Sequence, residues 1–505
     1  MSSRRPNILF CLADDAGMHF GAYDCRWVNT PGFDRVAREG LLFSRAFTPN
    51  AKCAPSRACI LTGRNSWQLE EGANHQTHFP ARFTTCFEAL HEHGYFVGHT
   101  AKGWAPGDPG TVGGEPRQLT GPAYNERKCT PPPTINNCDY AANFADFLDD
   151  RPEDQPFCFW FGCTEPHRPY EYGSGAERGG KNTADIDEVY EIWPDNEVVR
   201  TDLLDYGFQI EHFDRHLCAM LDELERRDEL DNTLVVVTSD NGMPFPRAKG
   251  QEYYYSNHLP LAVMWRDRIV NPGRTVREFV SFIDFTPTFL DAAGIGNEDS
   301  GMQPITGQSL MDIINDRPGK QTDKDRDHVL IGKERHDLGR PDDVGYPIRG
   351  IFQDDYLYLI NFEPDRWPAG NPETGYMNCD GSPTKTEILK ARQNPETRRY
   401  WEWSFGKRPE EELYCIADDP ACIRNLAGSA GYDELRRDMR QRLTRELRAQ
   451  NDPRIQGNGE IFDSYPTASV RLKSFYSRFM DGELEAPGWI NESDVEEIHK
   501  HDSDK

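Results

Sequence analysis

The sequence has no apolar run approaching the roughly 18 residues that a membrane-spanning helix requires, so membrane insertion is set aside. It also has no C-x-x-C pair and no zinc-type spacing among its 13 cysteines. With an odd count and scattered positions, a disulfide framework is not indicated, and a reducing compartment fits better. Positive charge is scarce: 57 Lys and Arg stand against 84 Asp and Glu, for a formal charge of −27. Such a surface opposes nucleic acid or any other polyanion. An anionic substrate must therefore be met by a local group of cations, which makes each Lys, Arg or His beside a candidate site informative. The basic start MSSRRPNILF, running into Asp14 and Asp15 without a small-residue cleavage site, reads as a first core strand rather than a secretory leader. A cytoplasmic protein is expected, or a periplasmic or secreted one if a signal has been removed. No internal repeat or low-complexity tract is present.

What the chain does have is length, 505 residues, enough for more than one domain. Asn7 to Ala13 reads as a buried parallel strand delivering Asp14 and Asp15 at its C-terminal end. Thr30-Pro31 supplies an N-cap and a first-turn proline for a helix closed by Gly40. The alternation continues with a helix over Thr85–His93, a strand around Phe96–Thr100, a helix over Asn137–Asp149 and a strand over Pro156–Cys163. A long helix follows over Val198–Arg227, where Ile210, Phe213, Leu217, Leu221 and Leu224 form one buried stripe. Thr233–Thr238 is the clearest buried strand, and it ends in Ser239-Asp240-Asn241-Gly242. After Leu259–Trp265 and a helix around Thr286–Ala293, the polar stretch Pro318–Asp327 serves as a boundary. Beyond it, His328–Lys333, Ile348–Phe352 and Tyr356–Asn361 read as antiparallel strands, and Tyr432–Gln450 as an amphipathic helix. The fold class is α/β: a large mixed, mostly parallel sheet sandwiched by helices, plus a smaller C-terminal α+β domain with an antiparallel sheet. The expected divisions are 1–325, 326–460 and a tail over 461–505.

Two strand ends thus carry Asp14, Asp15, Asp240 and Asn241, four hard oxygen donors that suit Ca²⁺, or Mg²⁺, better than a soft metal. Between them in sequence stands Cys53-Ala54-Pro55-Ser56-Arg57, followed by Leu61-Thr62-Gly63. This stretch matches C-x-P-S-R-x-x-x-L-T-G throughout and resembles the signature of the sulfatase family. The resemblance covers residues 6 to 450 and implies an alkaline-phosphatase-like large domain. It further implies that Cys53 is oxidised by a formylglycine-generating maturation enzyme to the aldehyde nucleophile.

On the same resemblance, Asp14, Asp15, Asp240, Asn241 and the formylglycine at Cys53 hold the metal. Arg57 holds the nucleophile, Lys102 binds sulfate, Lys249 stands at the position of another cation of the family pattern, and His167 contacts sulfate or protonates the leaving group. Ser239 to Pro246 together with Pro166-His167-Arg168 resemble the heparan N-sulfatase (N-sulfoglucosamine sulfohydrolase) subgroup. Two positions depart from it: Trp104 stands where a K-x-H histidine is usual, and Lys249 where an arginine is found. His75, His78 and His19 are substitutes for the missing histidine, and Trp104 either stacks on a sugar or packs beneath its loop. Glu334, Arg335, His336, Asp337 and Arg340 follow the first strand of the second domain and could reach substrate; Trp401 and Trp403 are further stacking candidates.

The expected function is hydrolysis of a sulfate ester or sulfamate of a sulfated saccharide, with no nucleic acid or membrane partner and a homodimer compatible with it. Three alternatives stay open: a polysaccharide O-sulfatase, a phosphodiester or phosphonate monoester hydrolase, and an inactive glycan-binding protein.

Overall fold

The computed structural model describes residues 5–315 and 326–496. Its central layer is a seven-stranded mixed sheet. In chain order these strands are β1 (Asn7–Ala13), β2 (Leu41–Phe43), β3 (Phe96–Ala101), β4 (Phe157–Gly162), β5 (Thr233–Ser239), β6 (Leu261–Met264) and β7 (Arg274–Val276). They lie side by side as β7-β2-β6-β5-β1-β4-β3. The group β5, β1, β4 and β3 is parallel, while β6 runs antiparallel to both of its neighbours. Every residue of β1, β4 and β5 is buried, which is why these strands read as continuous apolar runs rather than alternating ones.

Alternation in β1 splits the core into two layers. Leu9, Cys11 and Ala13 face helices α1 (Pro31–Glu39), α3 (Tyr140–Asp150) and α4 (Glu197–Arg226). Ile8, Phe10 and Leu12 face α2 (Cys53–Thr62) and α5 (Phe285–Ala292). The first turn of α1 is capped differently from the expectation. Thr30 Oγ1 accepts from the Gly21 N–H, and the α1 donors Gly32 N and Phe33 N go to Asp214 of α4, each at 2.8 Å. A carboxylate from a packed helix satisfies both orphan amides where a hydroxyl would reach one.

A second, four-stranded antiparallel sheet contains β8 (His328–Lys333), β9 (Ile348–Gln353), β10 (Tyr356–Asn361) and β11 (Glu411–Cys415). Helix α6 (Asp433–Ala449) covers one face through Met439, Leu443 and Leu447. The opposite face packs on Phe47 and Tyr253, so this sheet rests against the loops that lead into and out of the strand ends of the first. Most of the polar boundary stretch 318–327 lies outside the described residues. Beyond residue 460, Leu472, Phe475 and Ile490 pack on Leu338 and Met377, and Asp494 pairs with Lys385 at 3.1 Å. All thirteen cysteines are free thiols. Among the described residues, no helix is long and apolar enough to cross a membrane.

Candidate active site

Strands β1 and β5 are neighbours with Ala13 opposite Ser239, so Asp14-Asp15 and Asp240-Asn241 leave the sheet side by side. The Asp15 N–H donates to Asp240 Oδ1 at 3.1 Å, and Asn241 Nδ2 donates to Asp15 Oδ1 at 2.7 Å. Asp15 adopts φ 74°, a region that residues other than glycine seldom occupy. That turn brings two consecutive carboxylates to one place: Asp14 Oδ1 and Asp15 Oδ1 lie 3.5 and 3.9 Å from Cys53 Sγ.

Cys53 opens α2, a helix whose residues are buried without exception because it is sandwiched between the sheet and α5. Arg57 follows one turn later on the same face. Its Nε donates to Asp240 Oδ2 at 2.8 Å and its Nη1 to the carbonyls of Lys102 and Gly103, also at 2.8 Å. The helix ends at Gly63, at φ 65° with its N–H on the Cys59 carbonyl; a Cβ here would sit 2.8 Å from Ile305 Cγ2. Glycine is needed there on both counts.

Cations enter from three loops. Lys102 follows β3 directly and donates to Asp14 Oδ2 at 2.5 Å. Lys249 bridges Asp15 Oδ2 at 2.7 Å and Asp380 Oδ2 at 2.9 Å. His167 puts Nε2 3.8 Å from Asp15 Oδ2, while Nδ1 lies 2.6 Å from the Arg168 carbonyl, which fixes Nδ1 as the protonated nitrogen. The His167 loop is held by Arg168, whose guanidinium makes a two-pronged pair with Asp202 of α4 at 2.8 Å. At 33% side-chain exposure, His167 is far more open than the buried Asp15 beside it.

Electrostatics follow from this packing. Burial alone would raise Asp14, yet Lys102 and Arg57 hold its carboxyl at about 2. Burial wins at Asp240, which stays above the usual carboxylate range despite Arg57. At Cys53 burial pushes the thiol far up, against the pull of Lys102 and with Asp14 adding to the rise. A thiol so disfavoured as an anion is a poor nucleophile in its unmodified form.

The donor set also fits a hard divalent cation. Asp14, Asp15 and Cys53 present ligand atoms within 4.8 Å of one another, and Asn241 Oδ1 is buried with no hydrogen-bond partner. An orphaned amide oxygen among carboxylates is what a small oxygen-seeking ion would satisfy.

None of the remaining sequence candidates hydrogen-bonds Cys53, Asp14, Asp15, Asp240 or Asn241 among the described residues. Trp104 is buried, donating from Nε1 to the Ala54 carbonyl at 3.0 Å and meeting Phe79 edge-on, so it packs beneath the first turn of α2. His75 pairs with Asp337 at 3.0 Å, and burial lowers it to about 4 despite that partner. His336 hydrogen-bonds Asn50 at 2.9 Å, and Arg335 reaches away toward the Asp463 carbonyl at 3.4 Å. His78 pairs with Asp108 near the surface, and His19 sits among Trp27, Tyr190 and Tyr206. Trp401 is buried against Tyr376 and Trp367.

Sequence reasoning missed Lys52 and Asp380. Lys52 is buried immediately before Cys53 and bonds Asp337 at 2.8 Å; its adjacency to Cys53 was the available signal. Asp380 comes from a loop with no motif, and only the fold brings it to Lys249.

A family model described as Sulfatase matches residues 6–295. The chain is 26% identical over 483 residues to the human N-sulphoglucosamine sulphohydrolase, covering 89% of this chain and 91% of that one. It is 23% identical over 499 residues to an ulvan-active sulfatase of Formosa agariphila, covering 89% of this chain and 76% of that one. Among solved structures, the phosphonate monoester hydrolase of Agrobacterium radiobacter superposes with a TM-score of 0.61 at 18% identity, over 88% of this chain and 96% of that one. The sheet, the strand-end carboxylates and the family match agree: the chain belongs to the sulfatase family of sulfuric ester hydrolases.

Proposed function

We propose that Cys53 is oxidised to formylglycine and that the chain hydrolyses a sulfate ester or sulfamate of a sulfated saccharide. The observation that carries this reading is the convergence of Arg57, Lys102, Lys249 and His167 with Asp14, Asp15, Asp240 and Asn241 around one buried side chain. On a protein whose net charge is −27, these cations support an anion-binding role once a divalent ion takes up the carboxylates that now pair with them. The saccharide class is supported by the two relatives, one named for N-sulphoglucosamine and one for ulvan.

The hydrated aldehyde carries two hydroxyls on one carbon. One attacks sulfur as the bond from sulfur to the leaving oxygen or nitrogen breaks; its proton passes to Asp240, and His167, in its doubly protonated form, gives the Nε2 proton to the leaving atom. The second hydroxyl then gives its proton to His167 Nε2, the carbon–oxygen bond to sulfate breaks and the aldehyde is restored, and the proton held by Asp240 leaves with the sulfate. Water rehydrates it, so one water is consumed per turnover. Lys102 and Lys249 offset the charge on the sulfate oxygens, and Arg57 holds Asp240 toward the nucleophile. A Ca²⁺ or Mg²⁺ ion held by Asp14, Asp15, Asp240 and Asn241 would lower the pKa of the diol and offset sulfate charge.

The test is sulfate release from a panel of N-sulfated and O-sulfated mono- and disaccharides, alongside a phosphonate monoester at the same pH. Turnover of at least one sulfated saccharide, above the phosphonate, is expected. A clear phosphonate preference would transfer the chain to the rival chemistry.

A further inference from the structure

Asp380 has chemistry that the hydrolytic scheme leaves unused. It lies just before the helix Pro383–Ala391, outside every motif in the sequence. Its Oδ2 accepts from Lys249, and Lys249 also bonds Asp15, so the carboxylate is pinned to the rim of the sulfate-binding group. One Asp380 oxygen lies within 4.8 Å of a His167 ring nitrogen. His167 is the most exposed group of this cluster, and Asp380 lies just inside it.

The second oxygen, Oδ1, takes no hydrogen bond from the protein among the described residues. Nor is it among the sealed polar atoms that lack a partner, so in a side chain only 6% exposed this oxygen keeps a small accessible surface. Burial would raise this carboxyl, but Lys249 and Lys52, with His167, hold it well below the usual range. Its ion pair with Lys249 at 2.9 Å favours the charged form. A fixed carboxylate only accepts hydrogen bonds, and so it favours a hydroxyl or ammonium on the adjoining ring carbon. It also repels a second sulfate or carboxylate there, because like charges at short range in a partly dry pocket are poorly screened.

Resting on the reading of the chain as a saccharide sulfatase, we propose that Asp380 is a specificity-determining residue. It takes a hydrogen-bond donor beside the sulfated position and rejects a neighbouring anionic group.

The experiment compares kcat/KM on two pairs of substrates: N-sulfoglucosamine against its 3-O-sulfated form, and galactose 4-sulfate against galactose 3,4-disulfate. An aryl sulfate, with no neighbouring donor, reports the sulfate-handling machinery alone. Wild type should prefer the singly sulfated member of the pair it cleaves by at least about tenfold, and Asp380→Asn should shrink that ratio by roughly ten- to a hundredfold. Because Asp380 also positions Lys249, the ratio within a pair, normalised to aryl sulfate, is the quantity read. A wild type indifferent to the second sulfate overturns the inference, even if Asp380→Asn proves inactive, and so does an unchanged ratio in an active Asp380→Asn. If the wild type cleaves aryl sulfate but no sulfated sugar, the saccharide reading fails first and the role of Asp380 falls with it.

Discussion

Replacing Arg57 by Met removes a guanidinium that is 0% exposed and keeps most of its volume, so a cavity contributes little. The loss is electrostatic. Asp240 Oδ2 loses a partner at 2.8 Å, and the carbonyls of Lys102 and Gly103 each lose a donor at 2.8 Å. Breaking one side of a buried ion pair costs about 3–5 kcal/mol, because the other charge is left uncompensated. The assay is the urea midpoint of chelator-treated protein, compared at equal slope. A second signature follows from linkage. Burial already raises Asp240, and Arg57 is the main group opposing that rise. Without Arg57 the folded-state pKa climbs further above the unfolded value. Stability conferred by such a raised carboxyl is present below the unfolded pKa and is lost as pH rises through the folded one. The deficit of Arg57→Met should therefore be smaller at acid pH, where the raised carboxyl is protonated, than at alkaline pH, where it is not. A deficit below about 1 kcal/mol, the scale of an ordinary surface change, would refute the reasoning, as would one independent of pH.

Cys53→Ala should abolish turnover with the fold intact, and Cys53→Ser, having one hydroxyl instead of two, should accumulate a sulfated enzyme visible by intact mass; normal activity in either contradicts the nucleophile assignment. The Asp14 carboxyl is held at about 2 by Lys102 and Arg57 against a burial effect that raises it. Its stabilisation is present above the ordinary carboxylate pKa and lost as pH falls toward 2. Lys102→Met should start that acid loss at higher pH in metal-free protein, and superimposable acid-unfolding curves would contradict the pairing. Trp104→Ala should cost about 3–5 kcal/mol by equilibrium unfolding, as a buried aromatic that also caps the Ala54 carbonyl. A change within about 1 kcal/mol would place Trp104 outside the core.

The large sheet is legible because its central strands are buried on both faces, which leaves no amphipathic ambiguity: NILFCLA and TLVVVTS declare themselves. The strand-end donors are legible for a related reason, since polar residues directly after such strands have few structural explanations. Side chains contributed by tertiary packing are not readable this way. Asp214 caps α1 from more than 180 residues away, and no local signal distinguishes it from other acids on α4. Asp380 reaches Lys249 because the segment carrying Tyr376, Cys379 and Ile388 packs into the core of the first sheet, and Lys52 acquires its partner Asp337 from the loop that follows β8. The histidines show the converse. His75 and His336 are polar residues near the right segments, yet they are tied to Asp337 and Asn50 rather than aimed at Cys53.

The most direct test of the central claim is the chemical state of residue 53. Protein produced together with a formylglycine-generating maturation enzyme should yield a Cys53 peptide with the mass of formylglycine and reactivity toward hydrazides. Sulfate release should rise in proportion to the converted fraction. Full activity in protein whose Cys53 is quantitatively an unmodified thiol would contradict the account.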